Sequence, residues 1–271
     1  MRIKNKRGQI DWYLMISLIL GLIILAIAVF WIFQEYFTEE SMNWEMCRQA
    51  VLLRSNIPAE YISDLKEGVS LNCKTTPFVI KTKDKQEAAA EIASISANCF
   101  SLFEEGKVEI FKRNIATAEN YCIVCARISI EEDLRKQYSS DKIPVWNYLK
   151  DNKMSSGQSY LSYIYSNFVN HPAVKSSCPE LSADSEEIRS EAYIPYYWDD
   201  TSKDLFVVMT YLNKGMVVFN SLPMGFVNLR CSRDTFPQAI YQSEPPLYSF
   251  YISQDINKIA KDCTYIVSIP A

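Results

Sequence analysis

An uninterrupted apolar run near the N-terminus constrains this chain more than any other feature. From Trp12 to Phe33 the sequence carries 22 residues without a charged side chain. A helix of that length is about 33 Å long, which matches the roughly 30 Å hydrocarbon core of a bilayer. Because every backbone N–H and C=O group in lipid needs an internal partner, a single spanning segment must be helical. The run therefore predicts a transmembrane helix over residues 12–33, with the lipid bilayer as a partner.

The charges on either side of the run predict its orientation. Four bases lie within residues 1–11, whereas four acids and no base lie between residues 34 and 47. Basic flanks stay on the cytoplasmic side of a membrane. The run is also longer than the apolar core of a cleaved secretory signal. We therefore expect a single-pass protein of the cell membrane, with residues 1–11 in the cytoplasm and the C-terminal domain outside.

The overall charge is acidic and excludes one class of partner. The chain has 28 Lys and Arg residues against 32 Asp and Glu residues, for a net charge of −4. Four of those bases precede the apolar run, so the remainder is more acidic still. Nucleic-acid binding needs a basic face that displaces counterions, and we expect no nucleic-acid partner. With 48% hydrophobic and 22% charged residues, the chain has the composition of a folded protein, and we expect an extracytoplasmic domain over residues 58–271.

All of the cysteines follow the apolar run, on the side predicted to be oxidising. An even number of cysteines in such a compartment predicts disulfide bonds, although the sequence alone does not select the pairing. The eight disulfide candidates are Cys47, Cys73, Cys99, Cys122, Cys125, Cys178, Cys231 and Cys263.

The Cys122-Ile-Val-Cys125 segment admits a redox, a metal or a structural interpretation. A redox pair of this spacing sits at a helix N-terminus, whereas the surrounding residues are typical of a strand. On a regular strand Cys122 shares a face with Ala126 and Ile128, and Cys125 lies on the other face. The two thiols are then predicted to bond to two different neighbours. A zinc site would need a second ligand pair at short spacing, and the sequence has none, so we expect no metal and no cofactor.

The pattern of residues predicts an α+β fold. An N-terminal transmembrane and stalk helix precedes a disulfide-stapled body that is mainly antiparallel sheet with a few helices. The stalk covers residues 34–57, either as one helix with the span or as two helices with a bend near Thr38–Ser41. An amphipathic helix is predicted over Lys85–Glu105, ended by Gly106, and a short helix over Pro144–Lys150. The apolar stripe of the first helix consists of Ile92, Ile95, Cys99, Leu102 and Phe103. The predicted strands are Val108–Phe111, Tyr121–Ile130, Tyr160–Tyr165, Leu205–Leu212, Met216–Phe219, Phe226–Arg230, Leu247–Ile252 and Thr264–Ile269, with a hairpin turn at Asn213–Gly215.

Few residues are candidates for a site, and none is predicted to be catalytic. His171 is the only histidine and falls in Asn170–Glu191, which is polar enough to predict a long surface loop and a candidate subdomain boundary. Tyrosine and tryptophan are densest between residues 193 and 198. That segment is interpreted either as a stacking surface for a sugar or a partner protein, or as core. The candidate patch consists of Tyr193, Tyr196, Tyr197 and Trp198.

Within the apolar run, Ser17 and Gly21 are four residues apart. A pair of small residues at this spacing lets two membrane helices approach closely, so the two residues are a candidate helix–helix contact and a route to self-association.

Two segments resemble known groups of proteins. Lys4-Asn-Lys-Arg-Gly8-Gln9-Ile10, directly before the apolar run, resembles the class III signal of archaeal type IV pilin-like proteins. The resemblance implies cleavage between Gly8 and Gln9, although Tyr13 stands where those pilins usually carry Glu. In the body, Asn98-Cys99-Phe100, Phe103-Glu-Glu-Gly106-Lys107 and Cys122-x-x-Cys125 are similar to a group of uncharacterised archaeal membrane-anchored proteins, which implies an envelope setting and no particular activity.

Taken as a whole, the sequence predicts a non-enzymatic cell-envelope protein. Its membrane helix would present a disulfide-stabilised domain for binding, adhesion or assembly, alone or within a membrane complex. One alternative is a pilin-like filament subunit cleaved after Gly8. Another is an extracytoplasmic thiol–disulfide oxidoreductase that uses Cys122 and Cys125.

Overall fold

Two units make up the fold, one of residues 1–43 and one of residues 44–271. The candidate subdomain boundary within residues 170–191 stays a prediction. The structure is a computed structural model, and it describes residues 12–36, 39–56, 71, 73–108, 110–111, 120–177, 179–191, 193–212, 247–255, 257, 260–261, 263 and 265–267.

The first unit contains helix α1, Trp12–Tyr36, and the beginning of helix α2, Glu39–Ser55. The side chains of α1 are described from residue 15 to residue 31, and all of them are exposed. Among the described side chains, no helix is both long enough and apolar enough to cross a membrane. Residues 37 and 38, like Gly8 and Gln9, lie outside the described residues. The choice between a continuous stalk and a bend therefore stays open.

The second unit is a sheet with helices packed against it. Helix α3 (Lys85–Leu102) packs on the sheet, and shorter helices pack on α3 and on strand β4 (Leu247–Ser253). Among the described residues, the helices that follow α2 are α3 (Lys85–Leu102), α4 (Glu132–Ser140), α5 (Val145–Asp151), α6 (Tyr160–Ile164), α7 (Ser166–Asn170), α8 (Pro172–Ser177) and α9 (Glu186–Glu191).

The sheet has five strands in its described part and is mainly antiparallel, as predicted. Its order is β1-β2-β3-β4, with β2 antiparallel to β3 and β3 antiparallel to β4. The edge strand β1 and the short strand β5 both pair with β2 in parallel. The strands are β1 (Thr76–Ile80), β2 (Asn120–Ile130), β3 (Leu205–Leu212), β4 (Leu247–Ser253) and β5 (Tyr265–Val267).

A β-bulge at Cys125 changes the faces of β2. Val124 pairs with Val208 and Ala126 pairs with Val207, so Cys125 has no partner in this register. Since consecutive residues of β3 point to opposite faces, Val124 and Ala126 also lie on opposite faces. The prediction that Cys122 shares a face with Ala126 and Ile128 is therefore wrong, because it assumed a regular strand.

Helix α3 confirms the prediction of an amphipathic helix. Asp84 caps its N-terminus, accepting hydrogen bonds from the backbone N–H groups of Gln86 at 2.6 Å and Glu87 at 3.2 Å. The helix ends at Leu102, a little before the predicted Glu105, and a 3-10 turn follows at Glu104–Gly106. The predicted apolar stripe is buried, namely Ile92, Ile95, Cys99, Leu102 and Phe103.

Other predictions were right for strongly periodic segments. The strands over Tyr121–Ile130, Leu205–Leu212 and Leu247–Ile252 are present, as is the short helix near Pro144–Lys150. Of the strand predicted over Thr264–Ile269, the structure describes Tyr265–Val267. The two strands predicted between residues 216 and 230, and the turn at residues 213–215, lie outside the described residues.

Three further predictions were wrong. The predicted strand Tyr160–Tyr165 is instead helical over Tyr160–Ile164, because Ser159 caps the segment and Leu161 and Ile164 bury one helical face. The described residues of Val108–Phe111 form no strand, since Ile110 and Phe111 enter the core from irregular backbone.

The predicted surface loop at Asn170–Glu191 instead contains α8 and α9. These helices bury Val174 and Ile188, which anchor an otherwise polar segment.

Candidate functional site

Three disulfide bonds hold the second unit. They join Cys47 to Cys73, Cys99 to Cys125 and Cys122 to Cys263, with Cα–Cα distances of 4.5, 5.9 and 5.7 Å. Each distance lies in the normal range for a disulfide. Cys178 and Cys231 lie outside the described residues, and no described cysteine is free. The disulfide prediction is thus confirmed for six of the eight candidates.

The two cysteines of the Cys122-x-x-Cys125 segment bond to different partners, as predicted. Cys125 joins the sheet to helix α3 through Cys99, and Cys122 joins it to the C-terminal segment through Cys263. Both side chains are buried. The segment therefore has the arrangement of two structural cross-links, and it does not form an internal redox pair.

The candidate aromatic patch is divided between core and surface. Trp198 is fully buried, and its Nε1 atom lies 3.2 Å from the backbone carbonyl oxygens of Asp200 and Lys203. Tyr193 is partly buried and stacks on Tyr251, with ring centroids 5.7 Å apart. The remaining two tyrosines, Tyr196 and Tyr197, are exposed. These two tyrosines are therefore the surface members of the patch.

An arginine and a carboxylate hold Tyr196 in place. The Arg189 guanidinium lies 3.9 Å from the centre of the Tyr196 ring, and the Tyr196 hydroxyl donates to Glu186 at 2.6 Å. The hydrogen bond from Arg189 lowers the pKa of Glu186 below its ordinary value, with a smaller contribution from Tyr196. An open groove of about 450 Å³ lies beside this cluster, lined by Arg189, Tyr193, Ile194, Pro195, Ser253, Gln254 and Asp255. We call this region the Tyr196 groove.

A second concave region lies where the end of α3 meets α6 and α7. It is open to solvent and has a volume of about 520 Å³, within the roughly 300–1,000 Å³ of typical small-molecule sites. We call it the Glu105 cleft. Its lining is polar apart from one proline and one aromatic ring, and consists of Glu105, Lys107, Ser156, Gln158, Tyr163, Ser166, Asn167, Asn170, His171 and Pro172.

An unusual turn places Glu105 at the cleft. Glu104, Glu105 and Gly106 have φ angles of 49°, 57° and 73°, so three consecutive residues adopt the left-handed region. For a residue other than glycine this conformation costs about 1–3 kcal/mol, and such strain persists where the surrounding structure enforces it. Here Asn167 enforces it, because its Nδ2 atom donates to the Gly106 carbonyl at 2.9 Å.

The Glu105 carboxylate interacts with both Tyr163 and Lys107. The Tyr163 hydroxyl lies 3.4 Å from Glu105 Oε1, and the Lys107 ammonium forms an ion pair with Oε2. Two effects raise the pKa of Tyr163 to about 12, of which burial is the larger and the negative charge of Glu105 the next. At neutral pH the phenol therefore keeps its proton. The Tyr163 ring is positioned by an edge contact with Phe100 at 5.2 Å.

His171 belongs to this cleft and is not a surface residue. Its side chain is 2% exposed, whereas the sequence predicted an exposed loop position. The difference arises because α7 and α8 meet at His171 and place it between them. Nearby, the Oδ1 atom of Asn167 is buried and has no hydrogen-bond partner among the described residues.

The sequence did not reveal this cleft. Glu105, Tyr163 and Asn167 are separated by up to 62 positions, and only tertiary contacts bring them together. The local signal was the Phe103-Glu-Glu-Gly106-Lys107 segment, which was interpreted as a helix end. The aromatic residues around Tyr163 favoured a strand and hid the polar face of α6 and α7.

The remaining candidate residues stand as follows. Ser17 and Gly21 both lie on α1, and a Cβ atom added to Gly21 would meet nothing within 4 Å. Their role in helix association stays a prediction. Among the described residues, no group of three or more His, Cys, Asp or Glu side chains could hold a metal ion.

Comparison with known protein families, with curated proteins and with solved structures finds no match to this chain.

Proposed function

We propose that this chain is a membrane-anchored extracytoplasmic protein of the cell envelope that presents a disulfide-stabilised binding domain and has no enzymatic activity. The observation that carries the proposal is the set of disulfides. Every described cysteine is bonded, and the bonds join α2 to Cys73 before β1, α3 to β2, and β2 to the C-terminal segment. Disulfides persist in oxidising compartments and are rare in the cytosol.

Anchoring is supported by the sequence and exposure of α1. The uncharged run of 22 residues falls within this helix, which is 25 residues and so about 37 Å long. Its large apolar side chains between Met15 and Trp31 are 40–72% exposed. An apolar surface of this extent needs cover, and the basic residues before it favour insertion with the N-terminus in the cytoplasm.

A binding role is favoured over thiol–disulfide exchange by the state of the cysteines. An exchanging dithiol needs an accessible thiolate beside its partner. Cys122 and Cys125 are buried and bonded to residues in different elements, so exchange would first require the body to open. The two concave regions on the surface, in contrast, are open without any rearrangement.

The proposal is tested by the intact mass of the full chain purified from membranes, with and without reductant. We expect the mass to rise by about 2 Da for each disulfide reduced, hence by at least 6 Da for the three described bonds. A membrane-impermeant maleimide added to reduced, intact cells should label the body cysteines. Protection from that reagent until the cells are lysed would place the body inside and refute the proposed topology.

The same spectrum addresses the filament alternative. A chain that begins at Gln9 would show processing of the pilin type, and the filament role would then replace the simple anchor as the preferred function. A chain that retains residues 1–8 would support the anchor. A mass unchanged by reductant would contradict the disulfides and the oxidising compartment together.

A further inference from the structure

We propose that the Glu105 cleft binds a neutral carbohydrate. This inference deepens the proposed binding role by naming the class of ligand, and it rests on that role. Most lining residues of the cleft have polar side chains, and its carboxylate and its lysine form an ion pair. The lining also contains hydrogen-bond donors and acceptors, and several of its side chains are already held in position.

The charges of the cleft favour a neutral ligand. Among its lining residues Glu105 is the one carboxylate and Lys107 the one lysine or arginine, and these two form an ion pair with each other. A phosphate or carboxylate ligand would favour several cationic groups, and the lining supplies one lysine that is already paired with Glu105. A cationic ligand would compete with the same lysine for Glu105.

The hydrogen-bonding groups match hydroxyls. A sugar hydroxyl both donates and accepts, so a complementary site needs donors and acceptors side by side. Carboxamides and hydroxyls supply both, and a carboxylate can accept from two neighbouring hydroxyls. The lining offers two carboxamides, two serine hydroxyls, one phenol and one carboxylate, which come from Gln158, Asn170, Ser156, Ser166, Tyr163 and Glu105. The third carboxamide, that of Asn167, serves to hold the turn, because its Nδ2 atom donates to the Gly106 carbonyl and its Oδ1 atom is buried.

The apolar part of the lining suits the C–H groups of a sugar ring. Tyr163 and Pro172 are its two largely apolar members. An aromatic ring offers a flat surface against which aliphatic C–H groups pack. A purely apolar ligand would instead leave the many polar groups of the cleft without partners, which costs binding free energy for each group.

Several of these side chains are held before any ligand arrives. Asn167 donates to the Gly106 carbonyl at 2.9 Å, and Asn170 Nδ2 donates to the Ser166 carbonyl at 2.8 Å. Tyr163 is positioned by Phe100 and Glu105. A site with little conformational freedom to lose binds more tightly than a mobile one. The left-handed turn at Glu104–Gly106 is then the strained element that holds the Glu105 carboxylate over the cleft.

The Tyr196 groove serves as the internal comparison. It also contains a carboxylate beside a tyrosine, but Glu186 is held by Arg189 and by Tyr196 at once. Its lining also contains an arginine and an aspartate. The conservative change Glu186→Gln therefore alters an equivalent carboxylate outside the Glu105 cleft.

The experiment uses saturation-transfer NMR to detect binding of each sugar to the full chain and titration to measure its Kd. The protein is kept in a detergent without a sugar head group. The probes are cellobiose, maltose and lactose as neutral sugars, with glucose 6-phosphate and galacturonate as charged controls. The variants are Glu105→Gln, Asn170→Ala and the control Glu186→Gln. Near-UV circular dichroism and the disulfide mass confirm that each variant is folded.

We expect at least one neutral disaccharide to show saturation transfer and to bind more tightly than either charged control. Glu105→Gln should weaken that binding about ten-fold, because a hydrogen bond to a charged group is lost, and Asn170→Ala should weaken it by less. Glu186→Gln should leave Kd unchanged.

Three results would overturn the inference. They are saturation transfer from none of the neutral sugars, tighter binding of a charged control, and an equal loss in Glu105→Gln and Glu186→Gln. None of these results alters the intact mass or the labelling pattern, so a failure here is distinct from a failure of the proposed anchor and topology.

Discussion

Helix α1 and strand β4 are both rich in apolar residues, but their side chains meet opposite surroundings. All seven residues of β4 are buried, and the strand pairs with β3 and contacts helix α7. The described side chains of α1 are all exposed, with Trp31 at 72%. The hydrophobic free energy of β4 is therefore realised within the chain. The hydrophobic free energy of α1 is gained only when another apolar surface covers its side chains, and we propose that lipid does so.

Two tryptophans test this difference with the largest expected effect. Trp198→Ala removes a fully buried indole and both of its contacts to backbone carbonyls, and should lower the free energy of unfolding by about 3–5 kcal/mol. Trp31→Ala removes the same side chain from the exposed surface of α1 and should leave the unfolding of the body unchanged. Urea titration followed by near-UV circular dichroism measures both.

Equal losses in the two variants would break the comparison, because they would mean that α1 and the body unfold as one cooperative unit. A small loss in Trp198→Ala would show that the core around this indole is looser than its burial indicates.

The disulfides allow a second test within the body. Cys122 and Cys263 are 141 residues apart, whereas Cys47 and Cys73 are 26 apart. Removing a native disulfide costs about 2–5 kcal/mol, and chain-entropy arguments predict a cost about 1.5 kcal/mol greater for the longer loop. We therefore expect Cys122→Ala with Cys263→Ala to lower the urea midpoint more than Cys47→Ala with Cys73→Ala.

A reversed order would show that the bond near α2 stabilises more than loop length predicts. The anchoring of α2 through Cys47 would then contribute more to the stability of the body than its 26-residue loop predicts. Alanine is preferred to serine for these variants because the bonded sulfurs of β2 are buried, and a buried hydroxyl would add its own cost.

The sequence predicted the parts of the fold that depend on short-range periodicity. The stripe of α3 and the strands over Leu205–Leu212 and Leu247–Ile252 follow from residue types that repeat every three to four or every two positions. The different partners of Cys122 and Cys125 were also predicted, since both were placed on a strand.

Features that depend on tertiary context were missed. The bulge at Cys125 has no local signature, and it moves Ala126 and Ile128 to the face opposite that of Cys122. At Tyr160–Ile164 the aromatic residues favoured a strand, although the Ser159 cap and the spacing of Leu161 and Ile164 were present as helical signals. The Glu105 cleft escaped prediction because a turn after α3 and residues of two later helices create it together.

Three glycines test local packing with a smaller expected effect. A Cβ atom on Gly106 would lie 3.0 Å from Asn167 Cγ and 3.1 Å from Tyr248 Cδ2, in a backbone with φ of 73°. Gly106→Ala should therefore destabilise the body by about 1–3 kcal/mol. Gly157 has φ of 85° but nothing within 4 Å, so Gly157→Ala should cost less. Gly21→Ala adds helix propensity to α1 and should leave the unfolding of the body unchanged.

Thermal unfolding of the three variants gives the order directly. If Gly157→Ala were as harmful as Gly106→Ala, the left-handed conformation alone would account for the cost, and the contact with Asn167 would contribute nothing. The turn could then not be described as held by the cleft.

The smallest effect is expected at the cap of α3. The Asp84 carboxylate accepts hydrogen bonds from two backbone N–H groups that have no partner within the helix, and its negative charge lies at the positive end of the helix dipole. Asp84→Ala should cost about 1 kcal/mol, whereas Asp84→Asn keeps an acceptor oxygen and should recover most of that loss. Urea denaturation of both variants measures the difference. If Asn recovered nothing, the charge of Asp84 and not its hydrogen bonds would be the stabilising feature, and added salt should then reduce the advantage of the native residue. Helix α3 packs on the sheet, so its stability has two sources, the buried face and the capped N-terminus. Either result would show how much of the free energy of unfolding comes from the cap.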